Sequence, residues 1–236
     1  MRVEAVCIDL DGTLRDTSPD WAEAANPMLR DLDVAPLPLD SIRRFVGKGA
    51  EVLIQRTLDA AGVAAPPGDH GYETARSRFF ANYRRLNGSA AAIYDGVREG
   101  LDGLAALDLK LACITNKPVE FIAPLLQRFD IERYFDFAIG GDSLPFKKPH
   151  PGQLIEACRR WSLPPSRVLA VGDSINDAEA ARAAGMPVYL VPYGYNEGRS
   201  VESADVDGIV ASLSELPSLI QGLRGFKGSL QGSIRR

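Results

Sequence analysis

Two carboxylates stand two residues apart in Asp9-Leu10-Asp11-Gly12-Thr13, directly after the apolar run that ends at Ile8. Side chains at that spacing leave an extended chain on the same side. Like charges so close repel, unless they share a cation or one of them keeps a proton. A hard cation such as Mg²⁺ suits an oxygen-only cluster, since it is held by one or two carboxylates and keeps several waters. Asp173, in Gly172-Asp173-Ser174-Ile175-Asn176-Asp177, offers a third carboxylate after another apolar run, Val168–Gly172. Thr115 and Asn116 follow a third run, Lys110–Ile114, and Lys148 stands in the loop after Gly140-Gly141. Carboxylates, a hydroxyl, an amide and a cation from four separate loops would thus converge on one edge. By itself Asp-x-Asp-Gly-Thr could be an ordinary Asp-Gly turn. Three further elements in order downstream make the chemical reading the stronger one.

The elements that must position these residues follow from the pattern. Val3, Ala5–Ile8 and Leu10 predict a buried first strand. From Arg15 to Ala91 no strand is expected. Helical stripes run through Trp21–Leu32, with Pro27 as a kink or break, through Ala50–Ala61, and through Tyr72–Leu86. Beyond Ala92, helices near 97–107, 119–129, 152–161, 177–184 and 213–223 alternate with strands near 110–115, 137–140, 168–172, 187–191 and 206–210. Short buried strands alternating with helices predict an α/β fold, a doubly wound parallel sheet with a Rossmann-like core. Residues 1–14 and 92–222 would form that core. Residues 15–91 would form a small helical cap inserted after the first strand, and 223–236 a loose tail rich in Gly, Ser and Arg. In such sheets ligands bind beyond the carboxyl ends of the strands, and the chemically interesting residues all fall there.

Composition narrows the partners. A net charge of −4 argues against nucleic acid, which requires a basic face, but does not exclude a small anion. No apolar stretch approaches the ~18–20 residues that span a bilayer, and Met1–Leu10 lacks a signal-peptide pattern. A cytoplasmic protein without a membrane partner is expected. Cys7, Cys113 and Cys158 are too few and scattered for a disulfide framework or a zinc site. G-x-x-x-x-G-K-[ST], G-x-S-x-G and H-E-x-x-H are all absent, which excludes the P-loop, the esterase elbow and the zincin site.

Asp9-Leu10-Asp11-Gly12-Thr13-Leu14, Ile114-Thr115-Asn116-Lys117, Lys148-Pro149-His150-Pro151 and Gly172–Asp177 together resemble the four motifs of haloacid dehalogenase-type phosphatases. The resemblance implies that Asp9 is the nucleophile and that Asp11 protonates the leaving alkoxide, then activates water. It implies that Mg²⁺ is held by Asp9, the Asp11 carbonyl and Asp173, and that Thr115, Asn116 and Lys148 contact phosphate. Lys147 is the rival of Lys148. Asp177 could cap the helix after it, orient Lys148, or hold a metal-bound water. The insert is similar to the cap of the phosphoglycolate-phosphatase branch. Its loop Phe45–Ala50 would place Gly47, Lys48 and Gly49 over the site, with Arg44 and Lys48 meeting a substrate carboxylate. Many relatives carry Asn where Lys48 stands. Pro192–Asn196 also resembles that branch. The implied activity is hydrolysis of a small phosphate ester, 2-phosphoglycolate foremost, by a monomer or homodimer. Alternatives are a phosphosugar phosphatase, a pyrophosphatase, a phosphosugar mutase, or a non-catalytic binding module on the same fold.

Overall fold

The computed structural model describes residues 2–225. Six parallel strands form the central sheet: β1 (Ala5–Ile8), β4 (Lys110–Ile114), β5 (Phe137–Ile139), β6 (Val168–Gly172), β7 (Val188–Leu190) and β8 (Gly208–Ile209). Their order across the sheet is β5-β4-β1-β6-β7-β8. The alternation of β1 explains how it is covered on both faces. Val6 and Ile8 join Leu111, Cys113, Leu169 and Val171 on one side, under α5 (Val97–Ala106), α6 (Ile122–Arg128) and α9 (Leu216–Gly225). Ala5 and Cys7 join Ala112, Ile114 and Ala170 on the other, under α7 (Gly152–Trp161) and α8 (Ile175–Ala184). The result is a doubly wound Rossmann-like sheet. All three cysteines are buried and free. No helix among the described residues is long and apolar enough to cross a membrane.

Chain order reverses at β1, whose neighbours on its two sides are β4 and β6. Open sheets form their ligand crevice at such a switch point. Register sharpens this: Ile8 lies level with Cys113 and with Val171. Asp9, Thr115 and Asp173 therefore leave the sheet within two residues of one another.

Between β1 and the rest of the core lies a helical layer built from α1 (Ser18–Arg30), α2 (Leu39–Arg43), α3 (Ala50–Ala60) and α4 (His70–Leu86). It has its own apolar cluster, to which Phe121 and Tyr195 of the sheet domain contribute. Trp21 stacks on Tyr83 with centroids 4.4 Å apart and on Phe79 at 5.8 Å; each such pair adds about 0.5–1.5 kcal/mol beyond its burial. That packing explains one departure from expectation. Pro27 does not break α1, which runs on to Arg30. The proline forgoes one backbone bond, while Trp21, Ala24, Ala25, Met28 and Leu29 stay buried.

A second departure concerns the start of the insert, where no strand is expected. Arg15–Asp16 (β2) pairs antiparallel with Ala92–Ile93 (β3). Two residues cannot show alternation in sequence, so this ribbon is invisible until its partner is known. At the other end, residues 223–225 belong to α9 rather than to a tail; the remainder of the expected tail, 226–236, lies outside the described residues.

Candidate active site

The site grows from the turn after β1. Asp9 is fixed by its backbone N–H, which donates to Val171 O at 2.9 Å. The chain then turns at Gly12, with φ +92°, and returns to Asp11 through Thr17. A Cβ at Gly12 or Gly194 would overlap the Asp173 carboxylate, so both glycines are required by that close approach. Asp173 is held from two sides: Thr13 Oγ1 donates to Oδ1 at 2.9 Å, and the Tyr195 N–H donates to Oδ2 at 2.7 Å.

Two lysines divide the aspartates between them. Lys148 Nζ lies 2.8 Å from Asp9 Oδ1, 2.6 Å from Asp177 Oδ1 and 2.8 Å from Ile114 O. It donates hydrogen bonds to Asp177 and Ile114, while Asp9 Oδ1 pairs with it by charge and is left without a hydrogen-bond partner. Burial disfavours that ammonium, but Asp177 and Asp9 outweigh it and hold the pKa above the ordinary lysine range. Lys147 lies half-buried over Gly49, and among the described residues it forms no ion pair. Asp177 performs two of its expected roles. Its Oδ2 accepts from the Ser174 N–H and hydroxyl in a capping box that opens α8, while Oδ1 orients Lys148.

Asp11 has a different guardian. Lys117 Nζ donates to its Oδ1 and Oδ2 at 3.1 and 3.2 Å, and Thr17 Oγ1 donates to Oδ1 at 2.8 Å. Lys117 is only 1% exposed. It donates to Tyr83 Oη at 2.5 Å and lies over the rings of Trp21 and Tyr83, at 4.4 and 5.0 Å from their centroids. Burial lowers its pKa, against the pull of Asp11. In the sequence Lys117 is only the last residue of Ile114-Thr115-Asn116-Lys117, and nothing local marks it as buried. The aromatic box that buries it comes from α1 and α4.

Could these residues hold a cation? Asp9, Asp173 and Asp177 each present a carboxylate oxygen within 4.8 Å of the others, and all are buried. Burial above all, with Asp177 and Asp11 adding to it and Lys148 opposing, pushes the Asp9 carboxyl up to about 7. Burial, then Asp177 and Asp9, raise Asp173 well above the usual carboxylate range. Three carboxylates against the one ammonium of Lys148 leave an excess of negative charge on hard oxygens, which fits a divalent cation. The Asp11 carboxylate is turned to Lys117 and Thr17, so that residue has only its carbonyl to offer.

The expected phosphate and specificity residues are placed unevenly. Thr115 lines the same cleft as Asp9, Asp11 and Lys117, and its Oγ1 accepts from the Lys117 N–H at 3.2 Å. Asn116 lines it too, but its amide nitrogen donates to Gly47 O at 3.0 Å and Lys148 O at 2.8 Å. It ties the insert loop to the core rather than offering those protons to a ligand. Gly47 and Gly49 have φ of +112° and +92° and shape the loop before α3. Lys48 lines the adjoining cavity of about 160 Å³ with Asp9, Asp11 and Asp173. Arg44 does not line it. It is exposed and donates to Asp40 O on its own short helix. Arg56, from α3, does not line the cavity either, but it reaches Glu197, a cavity residue in the loop after β7.

Comparison with known proteins agrees with this geometry. A phosphoglycolate phosphatase of Nitrosospira multiformis is 49% identical over 93% of this chain and 96% of its own length. Another, from Thiobacillus denitrificans, is 40% identical over 92% and 96%. A crystal structure described as a predicted phosphoglycolate phosphatase from Haemophilus somnus superposes with a TM-score of 0.88 at 31% identity, covering 93% of this chain and 98% of that one. The family model of haloacid dehalogenase-like hydrolases matches residues 3–185, and the chain belongs to that family.

Proposed function

We propose that the protein is a Mg²⁺-dependent phosphatase that hydrolyses a small, carboxylate-bearing phosphate monoester, with 2-phosphoglycolate as the first candidate. One observation carries the reading. Two aspartates share a cavity, but each is held by its own buried lysine, Asp9 by Lys148 and Asp11 by Lys117. Two carboxylates in different environments are suited to two different roles. The names of the relatives support the substrate.

In the first half-reaction Asp9 attacks phosphorus, an O–P bond to its carboxylate forms, and the bond to the ester oxygen breaks. Asp11 gives its proton to the leaving alkoxide. In the second half, Asp11 takes a proton from water, which attacks phosphorus and breaks the bond to Asp9. Inorganic phosphate and the alcohol leave. Lys148 holds Asp9 in place through both steps, and Thr115 offers its hydroxyl to a phosphate oxygen. Mg²⁺ held by Asp9, Asp173 and the Asp11 carbonyl would supply neutralisation of the charge on the transferring group.

The test is release of inorganic phosphate from a panel of monoesters with Mg²⁺. We expect 2-phosphoglycolate to lead the phosphosugars by at least tenfold in kcat/KM, about 1.4 kcal/mol of discrimination, and Asp9→Asn to abolish turnover. Activity that survives in Asp9→Asn would refute the mechanism. Phosphosugars at the top would refute the substrate, and recovery of a relocated phosphoryl group in place of free phosphate would identify a mutase.

A further inference from the structure

The cavity that holds Asp9 and Asp173 has a second, charged end, lined by Lys48 from the loop before α3 and by Glu197 and Arg199 from the loop after β7. There Glu197 Oε1 lies 2.9 Å from Lys48 Nζ and 2.7 Å from a terminal nitrogen of Arg56. The three side chains are only 23%, 38% and 31% exposed, so this is a partly enclosed contact between the helical layer and the sheet domain. The loop is built to deliver that carboxylate. Asn196 Oδ1 accepts from the Ile175 N–H, its Nδ2 donates to Arg199 O and Ser200 O, and Glu197 itself has φ 53°. Left-handed backbone at a residue with a Cβ persists only where its surroundings impose it. Two residues on, Arg199 is exposed and, among the described residues, pairs with no carboxylate. A carboxylate seated on two cations, in the cavity of a nucleophilic aspartate, has the chemistry of the far end of a short anionic substrate.

We infer that Glu197 is a specificity-determining residue: it occupies the Lys48–Arg56 cation pair until a phosphate monoester carrying its own carboxylate displaces it. This rests on the phosphatase reading above and adds the residue that sets selectivity within it. A substrate with a carboxylate exchanges one anion for another on the same two cations, and the displaced Glu197 has Arg199 nearby as an alternative partner. An ester without that anion does not compete for Lys48 and Arg56, which stay paired with Glu197. When the alcohol product leaves, Glu197 returns and excludes its carboxylate. Glu197 therefore limits the affinity for anionic substrates while keeping two partly exposed cations paired.

The test compares 2-phosphoglycolate with ethyl phosphate, which has two carbons but no carboxylate, in the full-length protein with Mg²⁺. The readout is the ratio of their kcat/KM values in wild type, Glu197→Gln and Lys48→Met. Partly exposed ion pairs are individually weak, so we expect Glu197→Gln to raise the ratio about three- to tenfold, through a lower KM for 2-phosphoglycolate. Lys48→Met should lower the ratio by a similar factor. Activity on ethyl phosphate reports that each variant is folded. A ratio that stays within twofold of wild type in either variant, or that falls in Glu197→Gln, overturns the inference alone. If wild type hydrolyses neither ester, the reading of a small carboxylate-bearing substrate falls and takes the inference with it.

Discussion

Replacing Lys117 by methionine tests the arrangement around Asp11 most directly. The substitution keeps the length and apolar body of the side chain and removes the ammonium. Asp11, 7% exposed, would then keep only the Thr17 hydroxyl as a side-chain donor. Breaking a buried ion pair by removing one partner costs about 3–5 kcal/mol. The lost cation–π contacts with Trp21 and Tyr83 add to that. Against it, burial of the ammonium is itself unfavourable, as its lowered pKa shows, so the lower end, about 3 kcal/mol, is the expected loss. In a domain of this size 1 kcal/mol moves the midpoint by about 2–4 °C, giving a fall of roughly 6–12 °C. The assay is thermal unfolding of wild type, Lys117→Met, Asp11→Asn and the double variant. Asp11→Asn leaves a buried ammonium and should also destabilise, while the double variant removes both charges. The coupling energy of the cycle should therefore be about 2–3 kcal/mol, with the double variant more stable than Lys117→Met. A loss below 1 kcal/mol in Lys117→Met, or strict additivity in the cycle, would refute the reasoning.

Two further outcomes follow from the carboxylate cluster. Asp9 and Asp173 bind protons more tightly in the folded chain, chiefly because they are buried. From the unfolded carboxylate value up to the Asp9 value of about 7, the native state carries more protons than the unfolded state, so stability falls as pH rises through that window. The metal-free protein should melt lower at pH 8 than at pH 5, and added Mg²⁺ should restore much of the difference at pH 8. A flat profile would show that the cluster is not strained. Gly194→Ala would push a Cβ into the Asp173 carboxylate. Overpacking of this kind costs about 1–3 kcal/mol, and the Mg²⁺ concentration for half-maximal activity should rise at least tenfold; an unchanged Mg²⁺ dependence would separate Asp173 from the metal.

The sheet was legible because strand, turn and chemical residue are consecutive in the chain. Val6–Ile8 before Asp9, and Val168–Gly172 before Asp173, announce both the element and what its end presents. What depends on distant partners was not legible. Lys117 looks like any loop lysine until Tyr83, 34 residues away, covers it. Arg44 is near Lys48 in sequence but not at the same carboxylate. It sits one residue past α2, while Arg56 lies two turns along α3 from Lys48 and reaches the same carboxylate. Glu197 sits in an Asn-Glu-Gly turn whose local chemistry says only that the chain bends.

The short antiparallel ribbon of Arg15–Asp16 with Ala92–Ile93 means that the polypeptide departs from the sheet and comes back to it through adjacent strands. Neighbouring strands are about 5 Å apart, a gap that a two-residue hairpin closes. An exchanged insert would still have to supply equivalents of Thr17, Trp21 and Tyr83, which hold Asp11 and Lys117. Transplanting a foreign insert at this seam would recast which molecules are admitted while Asp9, Lys148 and Asp173 stay in register.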